Sequence, residues 1–274
     1  MSVPETANTD VGTLDDELPA PAGSSLLSLV RGVADTYSLL GQTLYYTVRG
    51  RSEIRAVFRQ MYEIGNRSLV FLCIVMGFVG MILTYQAGLQ TLRVVPDLSR
   101  LGATFIELII KDLGPSICAL MLATRVGAGI AAEIGSMVVT EQVDALRMCA
   151  ADPVDYLVKP RFIASLVMTL LLVVCASSVA VGMGMVTAQA YFDISPRTFF
   201  NFDRVGISDI SVGFTKCLAY GAAVPVISSQ AGLSTFGGSE GVGAATTRAV
   251  VNSSLAVVVM NFFISGTGYM IFGE

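Results

Sequence analysis

Long apolar runs with almost no charged residues constrain this 274-residue chain more than any other feature. A helix that crosses a membrane needs about 20 apolar residues. Only 14% of the residues are charged, whereas soluble domains carry about 25%. The chain is therefore predicted to be an all-α membrane protein with five transmembrane helices, at about 68–92, 101–124, 162–192, 210–233 and 249–272.

The distribution of Lys and Arg predicts how these five spans are oriented. With the N-terminus in the cytoplasm, eleven basic residues fall on the cytoplasmic side and four fall on the outside. Cytoplasmic loops of membrane proteins carry an excess of Lys and Arg. We therefore expect a multi-pass protein of the inner (cytoplasmic) membrane, with a cytoplasmic N-terminus and a periplasmic C-terminus.

The region before the first span divides into two parts. Residues 1–23 contain five acidic residues and no Lys or Arg, which predicts a disordered acidic cytoplasmic tail. Between residues 24 and 66, apolar residues recur at helical spacing and are followed by a basic cluster, which predicts amphipathic helices at the membrane interface. A sixth span is the alternative, although it would place Arg31 and Asp35 inside the bilayer. The remainder, 67–274, is the predicted five-span membrane domain.

The residue inventory excludes several kinds of site. The sequence contains no histidine, so it has neither a Ser-His-Asp triad nor a histidine metal site. Its five cysteines are scattered singly, which predicts no disulfide. The sequence has no ATP-binding motif and no basic stripe of the kind that binds nucleic acid. We therefore predict no catalytic residue, metal or cofactor in this chain, and a partner chain or an ion gradient as any energy source.

A polar segment between the second and third predicted spans, 125–161, is the first candidate for a functional region. Five of its residues are predicted to share one face of a helix: Glu133, Thr140, Glu141, Asp144 and Arg147. Such a helix either docks against a partner protein or forms a solvated connection. The residues alone support both interpretations equally.

Three charged residues inside the second predicted span, Glu107, Lys111 and Asp112, form the second candidate. Ionisable residues within a span are costly and usually pair with one another or face a cavity. Glu107 and Lys111 are four residues apart and can pair along one helix face, and Pro115 predicts a kink. The alternative is that this group lies in the outer interface, where charged side chains reach water.

Two blocks of the sequence resemble a known family. Residues 114–161 contain GAGIAAEIGSM, VTEQVDAL, ADP and YLVKPR, and residues 245–263 read ATTRAVVNSSLAVVVMNFF. In this order and spacing they resemble the MlaE/YrbE permease family, from about residue 52 to the C-terminus. The chain departs from the family at Lys111-Asp112, where Arg-Glu is frequent, and at Asn261, where Asp is common.

The resemblance implies the permease subunit of an ABC transporter that moves phospholipids between the inner and outer membranes. It also implies a homodimer, a cytoplasmic ABC ATPase that holds ATP and Mg, an MCE-domain substrate-binding protein outside and, in some systems, a STAS-domain protein. The segment between spans 2 and 3 then contains the coupling helix, whose residues toward the ATPase are Glu133, Thr140, Glu141, Gln142, Asp144 and Arg147. An ion-coupled secondary transporter that uses Lys111 and Asp112 is the alternative function.

In such a homodimer, the first, second and last spans are expected to enclose an outward-opening cavity that binds lipid. Its apolar wall is predicted to contain Val75, Phe78, Val79, Ile82 and Leu83. Tyr85 and Gln86 lie further out, at the level of a lipid headgroup, and Lys111 and Asp112 lie at a similar depth. We expect Lys111 to meet the lipid phosphate, because it is the cation available within the span.

Overall fold

The computed structural model describes residues 22–49, 54–94 and 100–272, and helices make up nearly all of these ranges. The helices are α1 (Ala22–Arg49), α2 (Ile54–Val94), α3 (Leu101–Leu108), α4 (Gly114–Leu122), α5 (Ala128–Val139), α6 (Gln142–Met148), α7 (Lys159–Phe192), α8 (Pro196–Phe199), α9 (Ile207–Leu233) and α10 (Gly238–Phe272). Three π-helical turns lie between them, at Ile109–Leu113, Ala123–Gly127 and Val154–Val158. Most of the predicted acidic tail, 1–23, lies outside the described residues.

Five helical segments in the described ranges are long and apolar enough to cross a membrane. They are Ile54–Arg93, Leu101–Val139, Val154–Phe192, Ile207–Leu233 and Gly238–Phe272, which we call the first to fifth spans. Each one contains one of the five predicted apolar runs, so the all-α, five-span membrane fold is confirmed. The helices are longer than the runs because their polar ends continue the backbone hydrogen-bond ladder. The N-terminal helix α1 is not among the five segments.

The second span is a chain of three α-helical pieces joined by two of the π-helical turns. A π-helical turn holds one more residue than an α-helical turn, and such turns are frequent at functional sites. The first of them, Ile109–Leu113, contains Lys111 and Asp112, and Pro115 follows in the first turn of α4. A proline is tolerated there because the amide it lacks belongs to the first turn of the new helical piece. The irregularity predicted at Pro115 therefore takes the form of a π-helical turn.

The spans pack around α9. Helix α7 packs mainly against α2, whereas α9 contacts α7, α10 and the second span. In the most apolar stretch of each span, 61% is buried inside the protein for α9 but only 6% for α10. The largest core cluster includes Leu72, Met76, Phe105, Ile109, Leu172 and Phe199. The fifth span thus packs along one face against its neighbours and leaves most of its apolar stretch at the surface of the chain.

Gly80 lies at a close approach of α2 to α7. A Cβ atom at this position would lie 2.2 Å from the carbonyl oxygen of Ala180. We expect Gly80→Ala to lower the free energy of unfolding by about 1–3 kcal/mol, because the α7 backbone has to move. The matched control is Gly182→Ala on α7, whose added Cβ meets nothing within 4 Å and which slightly favours the helix. Thermal unfolding in detergent measures both variants, and equal midpoints would contradict this packing.

Candidate functional site

A pair of opposite charges joins the first π-helical turn of the second span to the start of α9. Lys111 Nζ lies 2.8 Å from Asp209 Oδ1, and the Asp209 side chain is only 1% exposed, against 34% for Lys111. The other carboxylate oxygen of Asp209 accepts a hydrogen bond from the Gly206 amide at 3.0 Å. Asp209 therefore both caps the N-terminus of α9 and holds Lys111 against it.

A second ion pair joins the same two helical segments further along α9. Lys216 Nζ donates to Asp112 Oδ1, and the Lys216 side chain is completely buried whereas that of Asp112 is 38% exposed. Asp209 and Lys216 are seven residues apart, which places them two turns apart on one face of α9. Buried charges are tolerated in apolar surroundings when they are paired. The four charges sum to zero and connect the second span to the fourth.

A neutral hydrogen-bond network continues from these pairs toward the fifth span. The Asn261 side-chain oxygen accepts from Ser116 Oγ at 3.1 Å and from the Tyr220 hydroxyl at 3.0 Å. Ser116 belongs to the second span, Tyr220 to the fourth and Asn261 to the fifth. The amide at the position where the family commonly has Asp therefore takes two hydroxyl donors without adding a charge.

Sequence reasoning identified only half of the intramembrane charge cluster. It noted that Lys111 and Glu107 can pair along one helix, and the structure adds an ion pair of Lys111 with Asp209 on another helix. It did not single out Asp209 or Lys216 as functional. The sequence did contain a signal for this pair of charges: Lys216 alone interrupts the fourth apolar run, seven residues after Asp209. This spacing places both residues on one face of a helix.

The predicted lipid-facing residues of α2 do not share one surface in the single chain. Phe78, Ile82 and Tyr85 are exposed, and so is Gln86. Leu83 instead packs against the core cluster. Lys111 and Asp112 bond to α9 rather than facing α2. The two sets of residues thus have different surroundings in the single chain.

The two remaining wall residues, Val75 and Val79, are half-buried. Phe78 lines an apolar groove of about 390 Å³ between α2 and α7, together with Cys73, Gly77 and Met183. The Tyr85 ring packs edge-on against Tyr191, with centroids 5.2 Å apart. Part of the predicted wall thus already contacts the third span within one chain.

The predicted coupling helix is interrupted, which corrects the expectation of a single face from Glu133 to Arg147. Helix α5 ends at Val139, and α6 begins only at Gln142. Glu141, between them, has a φ of 59° in the left-handed region, which few non-glycine residues adopt. This reversal separates Glu133 from the other predicted coupling residues.

All six predicted coupling residues are exposed, but Glu133 differs from the others in the partner that it binds. Thr140, Glu141, Gln142, Asp144 and Arg147 are all exposed. Arg147 and Asp144 form an ion pair of 2.8 Å on the surface of α6. Glu133 instead binds Arg161 Nη2 at 3.0 Å, and the Arg161 side chain is only 3% exposed. Glu133 therefore joins the end of the second span to the beginning of the third.

The N-terminal helix α1 is attached to the connection that follows α6. The Tyr46 hydroxyl donates to Asp152 Oδ2 at 2.7 Å, while Asp152 Oδ1 accepts from the Val154 amide at 2.9 Å. The bond to the Asp152 carboxylate raises the pKa of Tyr46 above its ordinary value, because the protonated hydroxyl is the donor. One carboxylate thus fixes both α1 and the start of the following π-helical turn.

Comparison with known proteins gives a consistent result. Residues 57–267 match the family model described as Permease MlaE. A probable ABC transporter permease of Synechocystis is 36% identical over 239 residues, which cover 85% of this chain and 90% of that protein. TRIGALACTOSYLDIACYLGLYCEROL 1 of Arabidopsis chloroplasts is 32% identical over 91% of this chain and 71% of its own length. The intermembrane phospholipid transport system permease protein MlaE of Haemophilus influenzae is 31% identical over 87% of this chain and 95% of its own length.

Proposed function

The chain belongs to the MlaE family of ABC transporter permeases, and from this membership we propose that it moves phospholipids between the inner and outer membranes. The observation that carries the proposal is the family match from residue 57 to residue 267, because it includes most of all five spans. A relative of nearly equal length is named for intermembrane phospholipid transport. The driving force is ATP hydrolysis on a separate ATPase subunit, which holds the ATP and Mg.

The ion-coupled alternative is less well supported by the geometry. A coupling carboxylate and lysine need to exchange ions or protons with water during transport. Here Lys111 and Asp112 each bind an oppositely charged residue of α9, and one partner of each pair is fully or almost fully buried. Paired in this way, the residues are suited to holding the second and fourth spans together.

A second copy of the chain is part of the proposal. The exposed apolar residues Val251, Leu255, Val258 and Phe262 of α10 follow one another at spacings of four, three and four residues. This spacing produces one continuous stripe along a helix. We place the partner copy against this stripe, so that the two chains together enclose the outward-opening lipid cavity with Val75, Phe78, Val79 and Ile82 in its wall.

The remaining partners are proposed on opposite sides of the membrane. The exposed residues of α6 are proposed to dock into the cytoplasmic ATPase, because they are exposed on a short helix outside the spans and include charges of both signs. An MCE-domain protein is proposed on the periplasmic side, with a STAS-domain protein as a further component of the complex.

Copurification tests the ATPase assignment. A tagged form of this chain, extracted from its native membrane in mild detergent, is expected to bring down a stoichiometric ATPase that carries a nucleotide-binding motif. A chain that purifies alone yet still drives phospholipid movement on an imposed ion gradient would contradict the proposal and support the ion-coupled alternative.

Cysteine labelling tests the orientation. In a cysteine-less background, single cysteines at Ser99 and Ser195 are expected to react with an impermeant maleimide added outside intact cells, whereas one at Ser239, in the first turn of α10, is not. Permeabilised cells provide the control, since all three positions then become accessible. Labelling of Ser239 in intact cells would contradict the five-span orientation.

Lys111 has a specific expected role at the lipid headgroup, because its side chain is one-third exposed despite its bond to Asp209. We expect Lys111→Gln to lower the amount of phospholipid that copurifies with the complex about tenfold, the effect of losing one charge-assisted contact. Arg204→Gln, at an exposed position in the connection before α9, is the control and should retain lipid. Equal lipid content in both variants, measured by phosphorus assay, would contradict the assignment of Lys111.

A further inference from the structure

A polar cavity of about 340 Å³ lies where the first, second and third spans come together at one end. It is formed by the start of α2, by α5 and by the connection that leads into α7, and its charged lining residues are Arg59, Glu133, Asp155, Lys159 and Arg161. Its volume is within the range of roughly 300–1,000 Å³ that small-ligand sites occupy. On the proposed orientation, the cavity lies at the cytoplasmic surface of the membrane.

Two of the cations in this cavity are buried, whereas their counter-ions are not. The Lys159 and Arg161 side chains are each 3% exposed. Lys159 lies 2.9 Å from Asp155, and Arg161 lies 3.0 Å from Glu133; these carboxylates are 41% and 47% exposed. A carboxylate that leaves its cation regains water, but the buried cation then needs another anion in its place, because an uncompensated buried charge is costly. The positive charge is therefore fixed in the protein, whereas its counter-charge can be exchanged only for another anion.

Arg161 has donors that the described part of the chain does not fill. A guanidinium carries five N–H donors, and the contacts of Arg161 with the described residues are the bond to Glu133 and a long one of 3.4 Å to the Leu157 carbonyl. Its Nε is buried and has no hydrogen-bond partner among the described residues. A buried donor without an acceptor is costly. The geometry therefore favours a ligand that brings several acceptor oxygens to the cavity.

A third cation and an apolar lining define the chemistry of that ligand. Arg59 is 80% exposed, and its contact with Glu63 is long, at 3.5 Å. With Arg59 included, the lining carries three positive and two negative charges, and the Glu63 carboxylate lies beside the lining, against Arg59. Val57, Met137 and Leu157 supply apolar surface beside them. The ligand is thus anionic at one end and apolar at the other.

We propose that this cavity binds the phosphate group of an anionic phospholipid from the cytoplasmic leaflet. A planar guanidinium fork matches two phosphate oxygens, and Arg161 and Arg59 are the residues that offer one. Exposed Phe58 and Tyr62 on the same part of α2 are typical of helices at the membrane interface. The inference rests on the proposed orientation, but the site is separate from the outward-opening cavity that receives the transported lipid.

Phosphatidylglycerol is the probe, and native mass spectrometry of the purified full-length protein is the measurement. We expect Arg161→Gln to raise the dissociation constant for phosphatidylglycerol about tenfold and Arg59→Gln several-fold, through loss of charge-assisted contacts. The matched control is Arg67→Gln, an exposed arginine on the same helix that does not line the cavity, and its dissociation constant should stay unchanged. Since Arg161 is buried, its variant is first checked by thermal unfolding, and the exposed Arg59 gives an independent answer.

Three outcomes would overturn the proposal. Equal weakening by Arg59→Gln and Arg67→Gln would show only general attraction to a basic surface. Displacement of phosphatidylglycerol by millimolar inorganic phosphate would assign the cavity to a soluble anion instead of a lipid. Loss of lipid binding whenever the ATPase partner is added would identify the cavity as a protein-docking surface. Because this assay needs neither ATP nor transport, its failure leaves the proposed function standing, and absence of an ATPase leaves this assay interpretable.

Discussion

Replacing Lys216 with methionine is expected to lower the free energy of unfolding by about 3 kcal/mol, the lower end of the effect of breaking a buried ion pair. The variant leaves Asp112 without its partner, but that carboxylate is 38% exposed and keeps part of its hydration. Asp112→Asn should cost more, about 5 kcal/mol, because it leaves the completely buried Lys216 charge uncompensated. Titration with a denaturing detergent measures both values.

The double variant Asp112→Leu/Lys216→Met separates the interaction from the burial of charge. We expect it to recover most of the lost stability, since replacing a whole buried pair with apolar residues is often neutral. The exposed pair Asp144–Arg147 on α6 provides a matched control, because its side chains are 66% and 63% exposed and such pairs contribute less than about 1 kcal/mol. If Lys216→Met and Arg147→Met destabilise the protein equally, the pair does not join the second and fourth spans as described.

Reversing the charge of Glu141 is expected to abolish coupled transport while leaving the membrane domain folded. Glu141 is exposed at the reversal between α5 and α6, and we place it against the ATPase. Loss of one partner in a desolvated interface pair costs about 2–5 kcal/mol. Glu141→Lys should therefore reduce ATP-driven phospholipid transport at least tenfold, and its effect is measured in reconstituted vesicles together with the ATPase rate.

Two controls make this prediction specific. Glu141→Gln removes the charge without reversing it and should give a smaller loss. Glu240→Lys, on the exposed first turn of α10, makes the same reversal outside α6 and should transport normally. A Glu141→Lys complex that assembles and transports lipid at the parental rate would show that this segment does not transmit ATP hydrolysis.

The five spans were predictable because each apolar run is long enough to decide its own structure. What could not be predicted is which helices contact one another. The sequence indicated Glu107, a neighbour along the same helix, as a partner that Lys111 can have, and the structure adds Asp209 on α9. Spacing within a helix follows from the sequence, whereas the choice of a partner helix follows from packing.

The predicted coupling segment, from Glu133 to Arg147, shows a second feature that could not be predicted from the sequence. Residues 133–147 contain no proline, and the only glycine among them lies well before the break. No turn signal therefore marks the left-handed Glu141 between α5 and α6. The same break explains why Glu133 is recruited by the buried Arg161 of α7 instead of lying beside Asp144. The exposed part of the predicted coupling face, from Thr140 to Arg147, does lie together at one end of the molecule.

The most direct test of the central claim is phospholipid transfer by vesicles that contain this chain and its ATPase. Donor vesicles carry a fluorescent phospholipid, and its movement to acceptor membranes is followed with ATP, with a non-hydrolysable analogue, and with an ion gradient alone. We predict transfer with ATP only, and its loss in a complex with an inactive ATPase. Transfer that persists without ATP hydrolysis and follows the ion gradient would contradict the account.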